Sequence, residues 1–478
     1  MSRLIRNIRY SLVEQVVLST HIFVSVALIR YLGPEQYGVY SYYLSVAGIV
    51  SVLGLGGFES LYVREASRQR SDEALTATLV LLNFLGSALA TAVLFGYYLF
   101  YAESDRLSPL LMAFTACGTY VTIKNTFRAS FIAHQELRLA ALLNMALFAL
   151  NVVLKVAGIL TAQPLVYFFA LIAVDAVASV LAFGTAYGWR RALALDGFFR
   201  RTAHLFVSGW PLLLAGLSIL IFMKVDQVML FHMRSERELG AYASMMWLTE
   251  RLFIFIGVVM TAFFPYLSEK YASDRDQYFR AVRVGQKLFS IIVVPMVVFL
   301  VANDAQVVRA VFGEGYVIDS QALQFLAGAL LFIYWGAINQ KVLIVTNALR
   351  LDLFFAGSSA LVSLALNFVL IPRYGIVGAA VAAFVSHGFY FWAQFFIREY
   401  RRYNLYILLS VPAPLVLALA SLALSRLAGS NVVVQFAVYA GAYGLLVLAL
   451  LRAPLSEEYG TIGRLFFSKM MRFGRGTA

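Results

Sequence analysis

Apolar runs of about 20 residues succeed one another along the whole 478-residue chain, and no polar segment between them exceeds about 20 residues. Each run, wound as a helix, is long enough to cross a hydrocarbon core of roughly 30 Å. No stretch is left over for a soluble catalytic domain. Hydrophobic residues make up 61% and charged residues 13% of the chain, against roughly 45–50% and 25% in soluble proteins. A mean hydropathy of +0.79 means that a water-soluble core cannot hide the apolar side chains. The solvent is lipid.

Fourteen spans are expected, at 11–30, 38–58, 77–100, 109–131, 139–160, 165–187, 207–231, 240–265, 285–302, 321–346, 353–371, 376–396, 406–425 and 432–451. The first residues, with Arg3, Arg6 and Arg9 before an apolar run and Ser25-Val26-Ala27 after it, mimic a cleaved signal peptide. The spans that follow make a first membrane helix the stronger reading. With the N-terminus inside, the cytoplasmic segments hold 24 of the 38 Lys and Arg residues. The outside segments hold six, Arg106, Arg234, Arg237, Arg309, Arg373 and Arg426. This bias satisfies the positive-inside rule and puts both termini in the cytoplasm. The net charge of +13 is therefore topological. Its partners are anionic headgroups, and nucleic acid is not needed.

The expected organisation is a six-helix lobe over 1–188, a cytoplasmic amphipathic linker over 189–206, a second six-helix lobe over 207–400, and two extra helices with a basic tail over 401–478. The linker, from Trp189-Arg190-Arg191 to Phe198-Phe199-Arg200-Arg201, mixes aromatic and basic residues and suits a segment lying on the membrane surface. An internal echo supports two lobes. Tyr37-Gly38-Val39-Tyr40 opens the second span and Leu239-Gly240-Ala241-Tyr242 opens the eighth, each after a charged turn (Pro34-Glu35-Gln36 and Ser235-Glu236-Arg237-Glu238). Parallel repeats of this kind are common in transporters.

Charged and polar groups within spans cost roughly 2.5–3.5 kcal/mol each at mid-membrane on insertion scales. The candidates singled out are Glu14, His21, Lys124, Lys155, Asp175, Lys224, Asp226, Glu250, Arg251, Lys341 and His387. Helical spacing groups Glu14, His21 and Ser25 on one face, Asn144, Asn151 and Lys155 on another, and Lys124 with Arg128. Such stripes face a bundle interior or a wet cavity. The structural alternatives stay open: Glu14, Arg128, Lys287 and Lys341 near cytoplasmic ends are expected to snorkel, and the asparagines to bond neighbouring helices. Asp226 does not face Lys224 two residues away, and His387 reads as a satisfied core histidine. Cys117, the single cysteine, excludes an intramolecular disulfide. The five histidines form no metal-ligand spacing, and phosphate-loop and dinucleotide motifs do not occur. The reading is a transporter, not an enzyme, with no cofactor.

Five motifs in order resemble a known family. They are Leu32-Gly33-Pro34-Glu35-Gln36-Tyr37-Gly38-Val39-Tyr40; Gly54-Leu55-Gly56 through Arg64-Glu65; Asp226-Gln227-Val228-Met229-Leu230 with Gly240-Ala241-Tyr242; Phe312-Gly313-Glu314-Gly315-Tyr316; and Ile371-Pro372-Arg373-Tyr374-Gly375-Ile376-Val377-Gly378-Ala379-Ala380. Together they resemble the Wzx-type polysaccharide flippases of the MOP exporter superfamily, over most of residues 1–400.

The resemblance implies an all-α, MATE-like fold of about fourteen transmembrane helices in a bacterial inner membrane. It implies a substrate, an oligosaccharide repeat unit on undecaprenyl pyrophosphate, moved to the periplasmic leaflet by alternating access for O-antigen, capsule or exopolysaccharide assembly. The family's cavity nominates His21, Arg30, Lys224, Asp226, Glu250 and Arg251, to which the polar stripes add Lys124, Lys155, Asn144 and Asn151. Asp226, Glu250 and Asp175 are the expected carboxylates for proton or sodium coupling, and a glycan polymerase is an expected partner. Lipid II flippases carry several arginines in their first two helices. Here only Arg30 and Arg64 lie nearby, both at helix ends, which weighs against lipid II. The alternative is a cation-coupled drug exporter of the same superfamily, whose pocket would be acidic and aromatic. A membrane polymerase or ligase would carry a long outside loop that this chain lacks.

Overall fold

The computed structural model describes residues 13–14, 17–18, 20–54, 62, 73–100, 108–134, 136–190, 198–346 and 348–452. Arg3, Arg6, Arg9, Arg106, the Leu55–Gly56 and Arg64–Glu65 parts of the second motif, residues 191–197 of the expected linker and the tail from 453 lie outside the described residues. All regular structure among the described residues is helical. Met1–Gly240 and Ala241–Ala478 each form a compact unit. The first contains α1 (His21–Val50), α2 (Glu73–Phe100), α3 (Pro109–Gly118), α4 (Val121–Ala133), α5 (Leu137–Leu160), α6 (Leu165–Tyr187) and α7 (Phe198–Met233). The chain passes through α8 (Glu236–Arg251) into α9 (Ile254–Ser273), α10 (Arg275–Ala302), α11 (Asp304–Phe312), α12 (Gln321–Val345), α13 (Leu349–Ala393), α14 (Arg398–Ser410), α15 (Pro412–Arg426) and α16 (Val432–Arg452). Among the described residues, nine helices are long and apolar enough to cross a membrane.

Two of these helices each cover two expected spans, and a glycine explains both. In α1 the spans expected at 11–30 and 38–58 meet at Gly33, where φ is 69° and ψ 170° before Pro34. Only glycine takes that backbone without strain, and proline presets the angle that follows. In α13 the bend is at Gly375, with φ 54° and ψ −132°, three residues after Pro372. Straight, the 45 residues of α13 would run about 68 Å, twice a bilayer. Instead they fold back. Ser359 Oγ donates to the Ser386 carbonyl at 2.6 Å and Tyr390 OH to Asp352 Oδ1 at 2.6 Å. A Cβ on Gly378 would fall 2.3 Å from the Leu370 carbonyl oxygen. Numbers that rise on one arm fall on the other, which defines an antiparallel hairpin.

The second arm of α1 pairs antiparallel with α7 and the start of α8. Ser45 Oγ donates to Gln227 Oε1 at 2.7 Å, and the Tyr42 ring stacks on Phe231 with centroids 3.7 Å apart. At the end of this pairing the two glycines of the internal echo approach backbone to backbone. A Cβ on Gly38 would lie 1.8 Å from the Glu236 carbonyl oxygen, and one on Gly240 would lie 1.7 Å from that of Pro34. The contact is reciprocal: adding 202 to Pro34 and Gly38 yields Glu236 and Gly240.

Three expected spans are interrupted. The span at 109–131 breaks at Thr119–Tyr120, between α3 and α4, and α2 covers the break. Ser87 Oγ donates to the Thr119 carbonyl at 3.1 Å, and Asn83 Nδ2 reaches the Thr122 carbonyl at 3.3 Å and Thr126 Oγ1. In lipid such carbonyls need a partner from a neighbouring helix. The span at 240–265 breaks at Leu252–Phe253, where Tyr334 OH of α12 donates to the Leu252 carbonyl at 2.5 Å. Pro412 divides the span expected at 406–425. Phe198–Arg201, expected in a surface segment, is the first turn of α7, whose 36 residues run about 54 Å.

The α16 helix repairs a proline in the middle of the second unit. Pro295 of α10 has no N–H for the Ile291 carbonyl four residues earlier. Tyr443 OH of α16 donates to that carbonyl at 2.8 Å, and Tyr439 OH donates to the Pro295 carbonyl at 2.8 Å.

Candidate functional site

The polar stripes of the first unit come together. The first arm of α1, with the turn before it, runs parallel to α5, since their contacts advance in step. Asn144 Nδ2 donates to Glu14 Oε1 at 2.7 Å, the His21 ring packs 6.0 Å from Phe148, and Tyr31 OH donates to the Gln163 carbonyl at 2.7 Å. His21 Nδ1 and Ser25 Oγ lie 2.8 Å apart, one turn from each other. The spacing that put Glu14, His21 and Ser25 on one face thus matches a face turned to α5.

Glu14 corrects the snorkelling expectation. Its side chain is 3% exposed and accepts from Arg128 Nη2 at 2.9 Å as well as from Asn144. Burial of a carboxylate is tolerated because a cation and an amide partner replace its water. Arg128 of α4 keeps 35% of its side chain exposed. Lys124, one turn away on the same helix, lies within electrostatic reach of Asp175, Arg128 and Glu14, and its Nζ sits 5.9 Å over the Phe183 ring. Lys155 of α5 also interacts with Asp175 of α6. Asn151 and Asp175 share the lining of a shallow hollow between α5 and α6, with Leu147, Leu154 and Leu171. Glu14, Lys124, Arg128, Lys155 and Asp175 thus form a charge network across four helical segments. It holds one more positive than negative charge, in surroundings that strengthen attraction for an anion.

The remaining expected residues occupy other places. Arg30 is exposed three residues before the Gly33 bend. On α7, Lys224 is half-buried and Asp226 is buried, with Oδ1 accepting from its neighbour's backbone, Gln227 N–H, at 2.8 Å. Arg251 is exposed at the end of α8, where the span breaks, and its guanidinium stacks over the Trp247 ring at 5.2 Å. Glu250 beside it is half-buried. Discontinuous helices frame sites in many transporters, so the break gives Arg251 a distinctive position. Among the described residues no group of three or more His, Cys, Asp or Glu is placed to hold a metal ion.

Sequence reasoning missed a triad at the other end of the first unit. Tyr42 OH, Tyr97 OH and His232 Nε2 lie mutually within hydrogen-bond distance, at 2.7, 3.1 and 2.6 Å. The three fall at the outside ends of the second, third and seventh expected spans. That common depth was the available signal, but nothing in the sequence pairs them.

The family of polysaccharide biosynthesis proteins matches residues 4–270, more than half of the chain, and the chain belongs to it. It is a multi-pass membrane protein. A Haloferax volcanii protein, provisionally named the low-salt glycan biosynthesis flippase Agl15, is 28% identical over 153 residues. That alignment covers 32% of this chain and 32% of the relative, so it spans about a third of the relative's length. A Shigella flexneri protein with the provisional name of O-antigen transporter is 21% identical over 389 residues, covering 74% of this chain and 88% of that one. Among solved structures, the lipid II flippase MurJ in an inward closed conformation superposes with a TM-score of 0.69 at 13% identity, over 95% of this chain and 100% of MurJ. At that identity the likeness establishes the fold, and the all-α membrane fold expected from the sequence stands.

Proposed function

We propose that this protein is a flippase that carries an undecaprenyl-pyrophosphate-linked oligosaccharide from the cytoplasmic to the periplasmic leaflet by alternating access. The observation that carries the reading is the charge network of Glu14, Lys124, Arg128, Lys155 and Asp175, maintained within membrane spans. Sugars and pyrophosphate cannot enter hydrocarbon unaided. Cations held in low dielectric offer the pyrophosphate an attraction that water would screen, while the polyprenyl tail stays in lipid. Lys124, Lys155, Asn144, Asn151 and His21 are the headgroup contacts proposed in the first unit, with Lys224, Arg30 and Arg251 as further contacts. The names of the two relatives support a glycan substrate, and the family supports a biosynthetic role.

The repeat organisation, 1–188 and 207–400 followed by the helices after 401, belongs to the same proposal. The reciprocal Gly38–Gly240 approach at an offset of 202 supports it. Asp175, Asp226 and Glu250 are the carboxylates proposed to couple flipping to a proton or sodium gradient, since carboxylates in spans are placed to bind ions. The membrane is the bacterial inner membrane, both termini are cytoplasmic, and a glycan polymerase consumes the product.

The test is genetic and chemical. Deleting the gene in its host should abolish a surface glycan and accumulate its lipid-linked repeat unit on the cytoplasmic leaflet. Unchanged surface glycan and no accumulated intermediate would overturn the reading.

A further inference from the structure

The break between α3 and α4 holds more oxygen than its own hydrogen bonds use. Every side-chain hydrogen of the facing polar groups is spent. Asn83 Nδ2 donates to the Thr122 carbonyl at 3.3 Å and to Thr126 Oγ1, and Ser87 Oγ donates to the Thr119 carbonyl at 3.1 Å. Thr122 Oγ1 donates to that same carbonyl at 3.1 Å, and Thr126 Oγ1 to the Thr122 carbonyl at 3.5 Å. What is left over is acceptor only. Asn83 is 2% exposed, and its Oδ1 accepts from no group among the described residues. The hydroxyl oxygens of Ser87 and Thr122, 3.3 Å apart, keep lone pairs once their single hydrogens are given away. The second arm of α1 ends at the same place in a 3-10 turn, Ser51–Gly54, and the carbonyl end of a helix carries partial negative charge. A Cβ on Gly54 would meet Thr122 Oγ1 at 3.1 Å and Ser87 Oγ at 3.3 Å, and one on Gly86 would meet the Leu53 carbonyl oxygen at 2.1 Å. Gly54, from the second sequence motif, thus lets the end of α1 close over the hydroxyls.

We infer that this junction is a sodium site, with Asn83 Oδ1, Ser87 Oγ and Thr122 Oγ1 as ligands and the Leu53 carbonyl oxygen closing it. It lies apart from the carboxylates proposed for coupling and does not rest on the flippase reading. An acceptor buried within a membrane span needs a positive partner, and a cluster whose donors are all spent supplies none. The ligands are neutral, which suits a monovalent ion, because divalent sites draw on carboxylates to offset the cost of dehydration. Oxygens 3.1–3.3 Å apart fit the tighter shell of sodium better than the wider one of potassium. Lys124 stands between Thr122 and Thr126 in sequence but about 200° around the helix from each, with its Nζ over the Phe183 ring, so its charge faces away. Broken helices and helix carbonyl ends hold sodium in this manner within membranes. The ion ties the end of α1, the middle of α2 and both halves of the broken span to one point.

The experiment titrates the full chain in detergent with sodium or potassium chloride, choline chloride holding the ionic strength constant. Thermal unfolding and binding of radiolabelled sodium are the two readouts. Sodium should raise the unfolding midpoint saturably, and potassium should do so with an affinity about tenfold lower or less. Thr122→Val, which keeps the side-chain shape, and Ser87→Ala should each weaken sodium by about tenfold or more. Asn83→Asp should bind sodium more tightly and make calcium a competitor, since a carboxylate admits a divalent ion. Should Asn83→Asp not fold, the valine and alanine variants carry the test. Sodium affinity unmoved in both of those variants overturns the inference. Its loss when Asp175, Asp226 and Glu250 are neutralised together would then assign the ion to the carboxylates. A midpoint that answers alike to sodium, potassium and choline, with no saturable label, also overturns it and leaves a buried water as the partner of Asn83. Each of these results leaves the flippase reading standing.

Discussion

Substituting alanine at Gly38 places a Cβ 1.8 Å from the Glu236 carbonyl oxygen, and at Gly240 one 1.7 Å from that of Pro34. Both obstacles are backbone, so no side chain can swing aside. The two helices must part by more than an ångström at this crossing, which forfeits packing around it. Overpacking of this kind costs about 1–3 kcal/mol, and the better helix propensity of alanine returns about 0.5–1 kcal/mol. Each single variant should therefore lose about 1–2 kcal/mol. The double variant should lose little more than either single one, because one separation relieves both clashes. That shortfall from additivity is a coupling of about 1 kcal/mol or more, in the range for residues in direct contact. Gly48→Ala is the control, since nothing lies within 4 Å of a Cβ there, and it should be neutral or slightly stabilising. Reversible SDS unfolding of the purified protein, read by helix content, measures all four. Strictly additive losses, or singles as stable as wild type, would refute the reciprocal contact.

Gly33-Pro34 and Pro372 through Gly375 announced their turns, because proline and glycine act on the backbone locally. The spans themselves were legible as apolar runs for the same reason: the bilayer reads length and hydropathy, whatever the tertiary context. The breaks at Thr119–Tyr120 and Leu252–Phe253 were not legible. Gly118 adjoins the first break but reads equally as a helix-packing glycine within a span, nothing marks the second, and partners from remote helices, Ser87 and Asn83 in one case and Tyr334 in the other, stabilise them. The site divides along the same line. Helical periodicity grouped Asn144, Asn151 and Lys155 on α5, where Asn144 meets Glu14 while Asn151 and Lys155 lie by Asp175, and Glu14 was expected to snorkel because its partners lie 114 and 130 residues away. His232 was passed over because its partners Tyr42 and Tyr97 are phenols, absent from any metal or catalytic spacing.

Three further outcomes are expected. Tyr443→Phe strips the Ile291 carbonyl of the donor that replaces Pro295 N–H, and should lower stability by about 1–3 kcal/mol in SDS or thermal unfolding; an unchanged midpoint would mean the carbonyl finds another partner. Arg251→Ala should abolish glycan export at matched protein level, with Arg251→Lys retaining part of it unless paired contacts are needed; normal export in the alanine variant removes Arg251 from the site. At the start of α10, the Gln277 backbone N–H donates to Asp274 Oδ1 at 3.0 Å, and this holds the Asp274 carboxyl below the usual carboxylate range. Its contribution is complete above the ordinary aspartate pKa and is lost as pH falls through the depressed value, so Asp274→Asn should flatten the acid limb of a thermal-melt pH series, and an unaltered limb would contradict the cap.

Flipping itself is the most direct measurement. Purified protein is reconstituted into liposomes loaded with an undecaprenyl-pyrophosphate-linked oligosaccharide, and the fraction of glycan open to an external glycosidase is followed in time. In protein-free vesicles only the outer-leaflet half should be cleaved. Reconstituted protein should bring the inner-leaflet glycan out, at a rate that falls when Lys124, Lys155 and Arg251 are neutralised together. Cleavage that stops at the outer leaflet with correctly folded protein present would contradict the account.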